Sequence, residues 1–438
     1  MVIKVSTRVP VFTHEGGPAR RITAEQELRR SVMACLLWEN TFYEGGVDIV
    51  DRIKNLVPKV APAKVAAIAI EAREQMKLRH VPLLIVREMA RSSKHKHLVA
   101  ETLARIIQRA DEMTEFLSLY WEDGRQPLSA QVKKGLAKVF PKFDAYQLGK
   151  YDRSNDAVRL RDVLFLSYPI SKDKTQADTW KKLVDNTLEA PDTWEVNLSA
   201  GADKKDTFER LMKDNKLGSM ALLRNLRNMH QAGCDETLVK TALDKMKVDR
   251  VLPFRFIAAA SHAPQLESDL EKAMFRCMNT QEKLDGKTAV VVDVSGSMDM
   301  AKVSGKSQMD RLDAACGVAM LAREILDDCD FYAFSTETKQ IPSRHGFALK
   351  DAIQNSMSHG GTNIGDAVQT VNRTKYDRTI VITDEQSSDR VGSPNGKGYM
   401  INVGAYQNGV GYGRWTHIDG WSESTLNYIK EYEKLGGP

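Results

Sequence analysis

The stretch "VVVDVSGSMDM" at residues 290–300 ends an apolar run in three oxygen-bearing side chains on alternate positions, Asp293, Ser295 and Ser297. If Val290 to Val292 close a buried strand, "DVSGS" is the loop leaving its carboxyl edge, and Gly296 lets that loop turn tightly so that the three side chains converge. A carboxylate and two hydroxyls form a hard oxygen site, suited to Mg²⁺ or Mn²⁺ and not to zinc. Two further segments add donors. "HGGTNIGDAV" offers Thr362 after a double glycine, and "IVITDEQ" ends a second apolar run in Asp384. Five oxygen ligands from three loops, only two of them anionic, predict a Mg²⁺ (or Mn²⁺) site that stays electrophilic enough to accept a partner's carboxylate.

Other chemistries fit these residues less well. Asp293 and Ser295 can cap the helix that follows. A phosphatase-type nucleophile at Asp293 is the enzymatic alternative, but such chemistry usually wants a second carboxylate two residues on, and position 295 is serine. "VSGSM" is not the G-x-S-x-G of a serine hydrolase, and no acidic group recurs beside a His or Lys base as a nuclease would need. The sequence predicts a non-catalytic protein.

The elements that position these residues change character along the chain. From about residue 24, segments such as "AEQELRRSVMACLLWENTFYEGG", "VPLLIVREMARSS" and "SAQVKKGLAKVF" carry apolar residues at helical spacing, with Thr23 a cap before the first. Successive helices of this kind suit a solenoid, in which neighbours bury one another's faces. After "EKLDGK", the β-rich runs "TAVVVDVSGS", "DFYAFST" and "RTIVITDEQ" alternate with helical stretches. That alternation implies a parallel sheet covered on both faces, with ligands at the carboxyl ends of its strands. The expected domains are residues 1–285, helical, and 286–438, α/β.

The 438 residues exceed one ordinary core, and 42% hydrophobic with 28% charged residues is a globular balance. No run approaches a membrane span and the N-terminus has no signal-peptide order, which predicts a cytoplasmic protein. The five cysteines, Cys35, Cys234, Cys277, Cys316 and Cys329, are scattered and read as free thiols. The net charge of +5 divides as 47 Lys and Arg against 39 Asp and Glu in residues 1–285, and 16 against 19 in the remainder. A positive excess confined to one region suggests a polyanionic partner there. Arg87, Arg91 and Lys94 fall on one helical face, followed by His95, Lys96 and His97, and the row could track phosphates or be a solvated face. Lys133, Lys134, Lys138 and Lys142 form a second cluster, and Lys150 to Arg153 a third. Arg224 and Arg227 could contact RNA or pair with acids.

The constellation Asp293, Ser295, Ser297, Thr362 and Asp384 resembles the metal-ion-dependent adhesion site of von Willebrand factor A domains, with its Asp-x-Ser-x-Ser, distant Thr and Asp. The segments "RRSVMACLLWENTFYEGG", "KYDRSNDAVRLRDVLFLSYP", "TWEVNLSAG", "MALLRNLRNM" and "VLPFRFIAAA" resemble the TROVE domain of the Ro autoantigen family, of a prokaryotic or phage type. The resemblance implies an all-α ring of HEAT-like repeats closed by a doubly wound, Rossmann-like von Willebrand A domain, in a monomer. It implies binding of small noncoding Y-like RNAs outside and of single-stranded ends of misfolded RNAs in a basic hole, in RNA quality control with a partner exoribonuclease or as an RNA-tethering scaffold. By the family pattern Lys150 and Arg153 contribute to Y RNA recognition, Arg153 with a shift of about one residue. Tyr168 stands where the family has histidine, a departure that bears on fine specificity. The alternative expectation is a protein-interaction adaptor whose metal site grips a partner's carboxylate.

Overall fold

The computed structural model describes residues 10–33, 46–152, 156–249, 251, 253–278, 283–302, 309–404, 406–420 and 423–434. The chain folds into two compact units, one of residues 50–217 and 231–238, the other of residues 1–49, 218–230 and 239–438.

The first unit is built from helices. His80–Arg91 packs on Pro62–Glu74 and on Asp111–Tyr120, and Ala130–Val139 packs on Val99–Ile106 and on Leu160–Ser167. Contacts therefore pass between near neighbours in sequence, the pattern of stacked repeats. Apolar faces at i, i+3 and i+4 meet between them, with Leu84, Val86, Leu103, Phe116 and Leu136 fully buried. Gly135 permits the tightest of these contacts, because a Cβ there would stand 2.9 Å from Leu103 Cδ1.

The second unit contains a six-stranded sheet of β1 (Leu284–Asp293), β2 (Leu326–Phe334), β3 (Thr338–Ile341), β4 (Arg378–Thr383), β5 (Lys397–Asn402) and β6 (Trp415–Asp419). Its order is β3-β2-β1-β4-β5-β6, with β3 antiparallel and the other pairings parallel. The last residues of β1 and β4 are fully buried, because helices cover both faces. Ala289 and Val291 join Ile364, Ala367, Val368 and Val371 in one cluster. By alternation Val290 and Val292 face the opposite side, and Arg311–Ile325 packs on β1, β2 and β4. Three of the strands match the β-rich runs of the sequence. β3, β5 and β6 are too short and too mixed in composition to stand out there.

This unit is larger than residues 286–438. Pro253–His262 and Glu267–Met278 pack on Arg311–Ile325, and residues 10–33 lie along the sheet's loops. Thr23 caps Ala24–Met33 as expected, exchanging hydrogen bonds with Gln26 through its main chain and hydroxyl (2.8 and 3.3 Å). Among the described residues, Cys234, Cys277, Cys316 and Cys329 are free thiols, and no helix is long and apolar enough to cross a membrane. Cys35 lies outside the described residues.

Candidate functional site

β1 is joined forward to β2 on one side and pairs with β4 on the other, so the strand order reverses between β1 and β4. Crevices at the carboxyl ends of strands open at such points, and Asp293 and Asp384 sit at the ends of these two strands. Asp293, Ser295, Ser297, Thr362 and Asp384 are all buried. Asp293 Oδ1 accepts the Ser295 N–H at 2.9 Å and its Oδ2 accepts the Thr383 hydroxyl at 2.5 Å. The Ser295 and Ser297 hydroxyl oxygens lie 3.2 Å apart. The loop bearing Thr362 is pinned beside them: the Gly296 N–H donates to Gly360 O (2.9 Å), and the Ser388 N–H donates to Thr362 O (2.8 Å). Ser295 occupies the N-cap of Gly296–Met300 without a side-chain capping bond, so capping does not account for its hydroxyl.

The electrostatics favour a cation. Burial first, and then the neighbouring Asp384, push the Asp293 carboxyl up to about 7, while hydrogen bonds from Ser295 and Thr383 offset only part of that. Two buried carboxylates on adjacent strand ends with hydroxyls between them suit a hard divalent ion. Among the described residues no three His, Cys, Asp or Glu side chains form a metal-holding group, which leaves hydroxyls as the complement to the two acids. A residue not anticipated from the sequence also reaches this edge. Arg311, at the start of Arg311–Ile325 and 3% exposed, lies 3.2 Å from Asp384 Oδ2.

Next to Asp384, Glu385 takes a left-handed φ of 63° and turns its carboxylate into the interior. Arg30 meets it at 2.7 Å and His417 at 2.5 Å. Arg30 also donates to Tyr406 O and Asn408 O. The same loop is held by the Thr13 hydroxyl on Ser387 O (2.6 Å) and by the His14 N–H on Gln386 Oε1 (2.8 Å). Residues 13–30 thus strap the loop that presents Asp384.

The basic positions fare differently. Arg87 does not lie on a solvated face: it is fully buried and pairs with Glu88, Glu122 and Asp123. Arg91 pairs with Asp123 at 2.7 Å. Arg87 is corrected to a structural residue, because Glu122 and Asp123 from beyond Asp111–Tyr120 cover its part of the helix face, while Arg91 stays exposed beside Asp123. Lys94, Lys96 and His97 are exposed while His95 is buried, its Nε2–H donating to Val60 O at 2.9 Å and its Nδ1 lying 2.8 Å from the Ser92 hydroxyl. Lys133 and Lys134 are exposed; Lys138 is engaged by Glu101, and Lys142 by Ala104 O. Lys150 is half-buried, 3.8 Å from Glu195 and over the Tyr151 ring. Arg153 lies outside the described residues. Arg224 and Arg227 are exposed, and Arg224 adds to desolvation in holding the Arg255 guanidinium below its ordinary pKa.

Tyr168 ends Leu160–Ser167 in the left-handed region with φ 52° and is 77% exposed. Phe165 and Ile170 beside it are 53% and 86% exposed. Sequence reasoning singled out Tyr168 but not its two apolar neighbours, whose exposure follows from the helix ending there.

A helical-repeat region and a doubly wound α/β domain with buried oxygen-bearing side chains at its strand ends define the architectural class. The TROVE domain family model matches residues 185–328. Aligned with the crystal structure of the Deinococcus radiodurans Ro (RSR) protein, the chain gives a TM-score of 0.60 at 17% identity, over 95% of this chain and 100% of that one. Telomerase protein component 1 of Mus musculus is 34% identical over 89 residues, and that of Rattus norvegicus 33%. Those matches take in 19% of this chain and 3% of each telomerase component. Residues 185–328 are thus similar to a TROVE domain, and the chain spans only a small part of the length of the telomerase components it matches.

Proposed function

We propose that this is a non-catalytic RNA-binding protein that takes small noncoding, Y-like RNAs and single-stranded RNA ends, in RNA quality control alongside a partner exoribonuclease. The observation that carries the reading is the exposed group Phe165, Tyr168 and Ile170. Large apolar side chains left in water mark a binding surface, and unstacked bases pack on exposed aromatic rings. Exposed Lys172 and Lys174 follow in sequence and supply charge for phosphates.

Filter binding of a structured small RNA with a single-stranded 3′ tail tests this. Tyr168→Ala weakens binding by about tenfold, within the range for loss of one stacked base, and Lys150→Glu weakens it further. Unchanged affinity in both variants removes the surface from the reading, and no binding by the wild-type protein at low salt sinks the RNA assignment.

The α/β unit supports a second site of its own. Asp293, Ser295, Ser297, Thr362 and Asp384 would hold Mg²⁺ or Mn²⁺, and the bound ion would supply a Lewis-acidic position for a partner's carboxylate. The burial of these oxygen-bearing side chains at the ends of two adjacent strands favours it, and the Asp293 carboxyl, pushed up first by burial and then by Asp384, adds to that. If this site dominates in the cell, the protein is an adaptor, and a partner is lost in Asp293→Ala or with chelator.

A further inference from the structure

We infer that the opposite end of the sheet carries a separate binding site, a cavity of about 460 Å³ that takes a phosphorylated sugar, free or as part of a nucleotide. It is lined by residues 372–377 and 395–397, at the amino ends of β4 and β5, whose first residues are Arg378 and Lys397. Asp293 and Asp384 stand at the carboxyl ends, so the cavity is distinct from the proposed metal position. Its volume falls within the roughly 300–1,000 Å³ of small-molecule sites. The walls are already fixed. The Asn395 N–H donates to Asn372 Oδ1 at 3.1 Å, and the Asn395 side-chain amide donates to Asn372 O at 2.7 Å. The Asn372 amide donates to Ser393 O and the Lys397 N–H to Asp377 O, both at 3.0 Å. Gly396 lets the two segments touch, because a Cβ there would stand 2.6 Å from the carbonyl oxygens of Tyr376 and Asp377. A cavity prepared in this way spares a ligand the cost of ordering it.

The lining is cationic in a region where acids outnumber bases, 19 to 16 over residues 286–438. It sets Arg373, Lys375 and Lys397 against Asp377 alone. Arg373 and Lys375 are exposed, and among the described residues neither side chain makes a hydrogen bond or ion pair. Lys397 gives one bond to Glu433 (2.9 Å), a carboxylate already closed by two 2.6 Å bonds from Arg378. An ammonium has three donors, so Lys397 keeps two for a ligand. Two unopposed cations and a third with spare donors match a phosphomonoester, which carries about −1.5 to −2 at pH 7. Phosphate alone would leave most of the cavity empty, and the remaining lining is polar. The Thr374 hydroxyl and Asn395 Oδ1 have no hydrogen bond among the described residues, while the Tyr376 ring is buried. A hydroxyl that donates or accepts and an amide oxygen that accepts answer the hydroxyls of a sugar.

Isothermal titration of the full chain with ribose 5-phosphate and with adenosine monophosphate tests the inference, with ribose, adenosine and inorganic phosphate as controls. Each phosphorylated probe should bind at least about tenfold more tightly than its phosphate-free counterpart and than inorganic phosphate. The double variant Arg373→Gln, Lys375→Gln should lose at least about tenfold for both probes while melting at the wild-type temperature, because both side chains are exposed. Tighter binding of adenosine monophosphate than of ribose 5-phosphate identifies the ligand as a nucleotide, and equal affinities identify the sugar phosphate as the recognised part. The site is overturned if neither probe binds saturably at about 5 mM, if a control binds as tightly as the probes, or if the double variant keeps wild-type affinity.

Discussion

Asp293 shows how one side chain couples metal, proton and stability. Its carboxyl is raised from 3.8 to about 7, chiefly by burial and then by Asp384. A carboxyl raised above its unfolded value holds its proton in the native state after the unfolded chain has lost it. Without metal, native stability therefore falls as pH rises from about 4 through 7. Divalent metal needs the ionised form, so binding displaces that proton below pH 7. Titrations with Mn²⁺ at several pH values should show affinity dropping by up to about tenfold per unit below pH 7 and levelling above it, the slope of one displaced proton. A flat profile between pH 5 and 8 removes Asp293 as the titrating ligand. The five candidate oxygen-bearing positions were legible in the sequence, because alternate oxygen-bearing residues after an apolar strand form a local pattern. Arg311 was not, since an arginine opening an apolar helix carries no signature until the fold brings it 73 positions along the chain to Asp384.

At the scale of elements, the strap from the N-terminal segment depends on one buried cluster. Arg30, Glu385 and His417 are almost wholly out of water. Arg30 and His417 hold the Glu385 carboxyl down to about 2 despite its burial, and Asp419 and Glu385 lift the His417 imidazole from 6.5 to about 9. The two shifts act at opposite ends of the pH scale. Glu385, depressed, contributes stability that is present above about pH 4.5 and lost as pH falls toward 2. His417, raised, contributes stability that is complete below pH 6.5 and lost as pH rises through 9. Removing one member of a buried pair costs on the order of 3–5 kcal/mol, so Arg30→Met should lower the denaturant midpoint strongly and, by releasing the Glu385 carboxyl, flatten the acid limb of the stability profile. A variant that unfolds at the wild-type midpoint would show that the strap is not held by this cluster. Helix His80–Arg91 teaches the complementary lesson. Periodicity placed Arg87 and Arg91 correctly on one face, but could not show that Glu122 and Asp123 arrive opposite them. Arg87→Met is accordingly expected to lower the melting temperature and to leave the salt dependence of RNA binding unchanged.

Over the whole molecule, the change from helical periodicity to alternating strands and helices was readable, because the two packings impose periods of 3.6 and 2. The assignment of residues 10–33 to the unit with the sheet was not readable, since it rests on contacts such as Thr13 to Ser387 that span most of the chain. The charge distribution was readable as well, with the positive excess in residues 1–285 and the proposed metal-site residues in the acidic remainder. These two features separate in solution. Phosphate neutralisation by lysines releases counterions, so RNA affinity should fall by about a hundredfold or more between roughly 50 and 200 mM salt if several phosphates are contacted. Lys96→Glu and Lys150→Glu should each lower the slope of log affinity against log salt by about 1. EDTA should leave the RNA affinity unchanged, because neither lysine nor Tyr168 belongs to the proposed metal ligand set. Affinity that ignores salt and collapses with chelator would reverse the assignment, moving the binding function from the basic surface to the carboxylate-bearing edge of β1 and β4.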